Sequence, residues 1–127
     1  MCSKLYNFKG EKQISDVRPM VKKLAAEIGF DNNNSVNISS TISELMQYVS
    51  ALSRDFNVSI RIVQSSKNTG IEFIINAITD HQIRTRFSIN GHLGSGFENI
   101  KRRMDNFCIS SSGGEFKLVT RKWIPAA

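Results

Sequence analysis

The chain has 127 residues, of which 40% are apolar and 22% charged, with a net charge of +6 and a pI near 9.6. That length is enough to bury a real core in one domain spanning residues 1–127, and no apolar run approaches the ~20 residues of a membrane span. Cys2 and Cys108, with His81 and His92, lack metal-ligand spacing, so two free thiols and no metal site are expected.

Met1 to Tyr6 lacks the apolar run of a signal peptide, which points to the cytoplasm. The positive charge invites a nucleic-acid reading, but it is scattered. Its one dense cluster, Lys101-Arg102-Arg103, spreads around a helix as a solvated face; an acidic protein partner or nucleotide phosphates would also suit it. There are no interleaved surface aromatics on a sheet and no helix-turn-helix spacing, which argues against nucleic acid.

In chain order, Lys4 to Phe8 alternates as a first strand. Ser15 or Asp16 caps a helix with the stripe Val17, Val21, Leu24, Ala25, Ile28; Pro19 sits in its first turn and Gly29 ends it. Asp31 to Ser35 is a turn of capping side chains opening a second helix. Its stripe is Ile38, Ile42, Leu45, Val49 and Leu52, and Glu44 lies at the stripe's border. On spacing alone Glu44 is an ordinary surface carboxylate.

Phe56 to Gln64 alternates as a half-buried strand, Ser65 to Gly70 is a polar turn, and Gly70 to Ile78 is a more buried strand. Thr79 to Asn90 has no clean period and reads as a loop. Gly91 to Gly96 is a glycine turn into a helix, with Phe97, Ile100, Met104 and Phe107 as one apolar stripe. Such a turn is either a plain connection or a site where unpaired N–H groups and the helix dipole hold an anion. Cys108 to Ser111 and Glu115 to Trp123 form a closing hairpin around Ser112-Gly113-Gly114, before a frayed Pro125-Ala126-Ala127 tail. This order predicts an α+β two-layer sandwich: a mostly antiparallel sheet with about three helices on one face.

The pattern resembles the small GHKL-type (histidine-kinase-like ATPase) regulators of bacterial sigma factors, the anti-sigma serine kinases and the stressosome switch kinase. The carrying segments, between about Ile14 and Trp123, are Leu24-Ala25-Ala26-Glu27-Ile28-Gly29-Phe30, Ile42-Ser43-Glu44-Leu45, Leu93-Gly94-Ser95-Gly96-Phe97, Ile100-Lys101-Arg102-Arg103-Met104-Asp105 and Lys122-Trp123. The resemblance implies that Glu44 is the general base, polarising water or a partner's serine hydroxyl. It implies a phosphate side made by Gly94, Ser95 and Gly96, with Lys101 or Arg102 neutralising charge.

Four positions depart from the family. Where the family places a Mg²⁺-holding asparagine one turn after the glutamate, this chain has Tyr48, a poor hard-cation ligand. Where it has a buried adenine-binding aspartate, aligned through Phe73-Ile74-Ile75, this chain has Ala77, and the two glycines that follow are Thr79 and His81. Asp80 is out of register. Losing the adenine contact costs on the order of 2–4 kcal/mol and the metal ligand a similar amount, or roughly a thousandfold or more in Mg-ATP affinity.

Two functions follow from the resemblance. One is a degenerate member without cofactor that acts by binding a STAS-domain antagonist, a sigma-factor regulator or a phosphatase. The other is an active protein-serine kinase using Mg-ATP and Glu44. The resemblance also allows a homodimer through the first strand and neighbouring helix; in the relatives the region of residues 79–90 is a mobile lid over nucleotide, and here it is either that or a rearranged binding edge.

Overall fold

A computed structural model describes residues 5–9, 14–53, 55–78, 95–112 and 114–125. The elements are β1 (Leu5–Lys9), α1 (Ile14–Ile28), α2 (Asn32–Leu52), β2 (Phe56–Ser65), β3 (Asn68–Ile78), α3 (Ser95–Arg103), β4 (Asn106–Ser112) and β5 (Glu115–Trp123). The five strands make one antiparallel sheet in the order β1-β2-β3-β5-β4. The expected α+β sandwich and its element order are what the structure has. Among the described residues no helix is long and apolar enough to cross a membrane.

The core follows from the two periods of the sequence. The helical stripes Val17, Val21, Leu24, Ala25 and Ile38, Ile42, Leu45, Val49 are buried. They face the inward rows of the sheet, Phe56–Ala77–Phe116, Val58–Ile75–Leu118 and Ile60–Phe73–Thr120, all buried as well. Ile100 of α3 joins the same core. At roughly 1.5–3 kcal/mol for each fully buried large aliphatic or aromatic side chain, this cluster dominates the stability of the sandwich.

The helix ends explain how the layers are held. Gly29, at φ +120°, closes α1 with the paired bonds Gly29 N–H to Ala26 C=O at 3.2 Å and Phe30 N–H to Ala25 C=O at 3.0 Å. This is a Schellman end that needs the left-handed conformation glycine supplies. Asp31 then caps α2, accepting from the Asn34 N–H at 2.7 Å. At the other end, the Ser53 N–H bonds the Val49 carbonyl at 2.8 Å, and the Ser53 hydroxyl donates to the Ile78 carbonyl at 3.0 Å. One serine thus ties the end of α2 to the end of β3.

Several boundaries correct the sequence reading. α1 begins at Ile14, so Ser15 and Asp16 lie inside it rather than capping it. Ile14 packs on the core, and that contact extends the helix past two good capping residues. Pro19 accordingly sits beyond the first turn, on an exposed face. The hairpin turn shrinks to Ser66-Lys67, because β3 starts at Asn68. α3 ends at Arg103, and Phe107 belongs to β4 rather than to a helical stripe. The Met104 N–H turns back to the Lys101 carbonyl, and the Asp105 N–H already bonds the Arg121 carbonyl of β5. The readings for Cys2, the 79–90 loop, the Gly91–Gly94 part of the glycine turn and the last two residues lie outside the described residues.

Candidate functional site

α2 and α3 pack against each other and bring together two of the segments singled out above. Glu44 sits midway along α2, half-exposed, and its carboxylate accepts from an η nitrogen of Arg103 at 3.1 Å. The same nitrogen reaches the Thr41 hydroxyl oxygen at 3.4 Å, while that hydroxyl donates to the Asn37 carbonyl at 2.7 Å. The two side chains of the pair keep 43% and 46% of their surface, so solvent screens it and it contributes less than ~1 kcal/mol. Chemically it is an accessible carboxylate steered by a guanidinium. It can accept a proton from a hydroxyl once Arg103 moves or shares it.

Tyr48 lies one turn on, on the same side of α2 as Thr41 and Glu44, and is 39% exposed. Its ring does not plug the core. A phenol here offers one oxygen, which suits Mg²⁺ poorly. Among the described residues no group of three His, Cys, Asp or Glu side chains could hold a metal ion.

Ala77 is buried at the end of β3, between Phe56 of β2 and Phe116 of β5 in the register. A methyl there completes the core row and offers no hydrogen bond to an adenine amino group. Ser95 and Gly96 form the first turn of α3, whose last turn carries Lys101, Arg102 and Arg103. Those cations complement the negative end of the helix dipole. Lys101 is exposed and stands six residues after Ser95, ~9 Å along the axis.

The structure also gives roles to residues that the sequence left unexplained. The Asp105 carboxylate accepts from the Trp123 N–H at 2.8 Å and pairs with Lys122 at 3.5 Å. Two of the resemblance-carrying segments therefore grip one another and fix the end of α3 to β5.

Glu72, unremarked in the sequence, is fully buried on β3 and bonds the Nε of Arg61 on β2 and of Arg121 on β5. These three are direct neighbours across the sheet. Burial pushes the Glu72 carboxyl up, and the hydrogen bonds and charges of Arg61 and Arg121 outweigh it, leaving the group below the usual carboxylate range. An acid inside an isoleucine-rich strand with an arginine on each flanking strand was the signal available, but it needs the register.

The serine/threonine-protein kinase RsbT of Bacillus subtilis (strain 168) is 28% identical to this chain over 121 residues, covering 90% of this chain and 91% of that protein. That similarity supports the resemblance to a partner-switching serine kinase. No family model matches the sequence. The similarity to RsbT extends over nearly the whole length of both proteins, as expected if one fold is shared rather than one motif.

Proposed function

We propose that this chain is a partner-switching regulator of the anti-sigma and stressosome kinase type, GHKL-like in fold, that acts by binding proteins and has lost most of its grip on nucleotide. The observation that carries the reading is Ala77, a buried methyl between two phenylalanine-bearing strands where the resemblance calls for an adenine-binding carboxylate. Tyr48 supports it from the metal side, since its phenol replaces an amide oxygen one turn from Glu44. The partners in this reading are a STAS-domain antagonist, a sigma-factor regulator or a phosphatase, and a homodimer is compatible with it.

A second reading, an active ATP-dependent protein-serine kinase, draws on two observations. Glu44 is accessible and held by Arg103 next to α3, and the relative at 28% identity is named a serine/threonine-protein kinase. In that reading Glu44 takes the proton from a serine hydroxyl, and the Ser95-Gly96 turn with Gly94 faces phosphate.

Calorimetry with Mg-ATP and with ADP separates the two. The degenerate reading expects no saturable heat at micromolar nucleotide; micromolar binding would overturn it. The double substitution Tyr48→Asn with Ala77→Asp is expected to regain affinity by about a hundredfold or more. A thermal melt of the same variant checks that the new carboxylate has not unfolded the core. A folded double variant with no gain would refute the assignment of these two positions.

A further inference from the structure

The sheet has a second face, turned away from the helices, and its outward rows can be read from the register. One row is Arg61–Glu72–Arg121–Asn106, the next Ser59–Ile74–Val119–Cys108, the next Asn57–Asn76–Lys117–Ser110. Val63, Gly70 and Trp123 lie beyond the arginine row. Glu72 is engaged internally by both arginines, so its charge is answered within the row. The remaining ionic side chains of the three central rows are Arg61, Arg121 and Lys117, all cations, and Glu115 stands apart beside the last hairpin. Ile74 and Val119 sit side by side between the cations, half-buried.

We propose that this face docks a protein partner through an acidic, apolar-centred surface, with Arg61, Arg121 and Lys117 meeting its carboxylates and Ile74 and Val119 its apolar centre. The inference rests on the partner-binding reading above and specifies its surface. The arginine geometry favours it. Each guanidinium spends its Nε on Glu72, which fixes the plane of the group, and the terminal η nitrogens take no part in those two bonds. Fixed guanidinium planes match the two oxygens of a carboxylate at reduced entropic cost.

A second copy of this chain would present the same cations and be repelled. A nucleic acid would need spaced stacking aromatics. Trp123, the chain's single tryptophan, is the one aromatic on the outward described rows, and its indole N–H is already bonded to the Asn106 side-chain oxygen at 2.9 Å.

Trp123 makes the face its own reporter. The full chain is titrated, without nucleotide, with a synthetic peptide alternating Glu and Leu, with its Gln-Leu counterpart, and with oligouridylate. Tryptophan fluorescence and amide shifts are followed. The proposal expects saturable binding of the Glu-Leu peptide that weakens with salt and moves the amides of residues 61, 72, 74, 117, 119 and 121.

The charge-balanced variant Arg61→Gln/Glu72→Gln/Arg121→Gln, which leaves no unpaired buried ion, is expected to bind about tenfold more weakly. Lys117→Glu, an exposed change, is expected to do the same, and Lys22→Glu on α1 to change nothing. Equal binding by Lys117→Glu, shifts confined to the helices, or tighter binding of oligouridylate would each overturn the proposal. Micromolar ATP binding in the calorimetry above would overturn the degenerate reading without altering this titration, so the two failures are distinguishable.

Discussion

Replacing Glu72 with glutamine tests the ion triad most directly. The substitution keeps the side chain's size and one acceptor oxygen but removes the charge shared by Arg61 and Arg121. It also presents an amide N–H₂ toward one arginine, donor against donor. Removing one partner of a fully buried pair costs about 3–5 kcal/mol. Here the arginine side chains keep 47% and 40% of their surface, so water answers part of the stranded charge, and a loss of about 1–3 kcal/mol is expected at pH 7.

The pH dependence gives a second handle on the same group. The folded carboxyl lies below its ordinary value, so its stabilisation is complete above the unfolded pKa of ~4.3. It is lost as pH falls through the lower folded value. Glutamine has no proton to gain. Urea denaturation of both proteins at neutral and acid pH should therefore show a gap that closes on acidification. A gap below ~0.5 kcal/mol at pH 7, or one that stays constant into acid, would refute the reasoning.

Two further substitutions probe how the sheet carries its working parts. A Cβ at Gly70 would stand 2.6 Å from the Lys122 carbonyl oxygen and 2.8 Å from Trp123 Cε3, so Gly70→Ala must push β3 and β5 apart. A loss of about 1–3 kcal/mol in a denaturant titration is expected, with altered tryptophan fluorescence, and an unchanged midpoint would contradict the close approach. Asp105→Ala removes the acceptor of the Trp123 N–H and the partner of Lys122. It should cost about 1–2 kcal/mol and speed hydrogen exchange at the Trp123 amide above all others in β5.

The sandwich was legible because its apolar periods are clean. Ile38, Ile42, Leu45 and Val49 at helical spacing, and Val58, Ile60 and Ile62 at strand spacing, leave little choice of element or face. Phe107 misled because Asn106 starts a strand at the phase where a helix would also have turned that ring inward. The start of α1 misled because Ser15 and Asp16 are good caps locally, and a core contact at Ile14 overrode them.

The border position of Glu44 could be read from its helix, but its partner Arg103 could not. The two are 59 residues apart, and nothing local links them. Glu72 was hidden for the same reason: its arginines lie 11 and 49 positions away, and only the register makes them neighbours. Periodicity reports what faces the core, whereas ion pairs between elements depend on how the layers are set.

The strand order has a consequence for how the chain assembles. β5, the last of the described strands along the chain, is also the one that slots between β3 and β4, so the sheet stays in two pieces until it pairs. Until then the long isoleucine-rich margin of β3 has no neighbour on that side, and any chain cut short before residue 115 would carry an open, sticky border. The β2–β3 hairpin can form early from nearby residues, but the sandwich itself must wait for β5, and the interval before β5 pairs is the one most open to self-association.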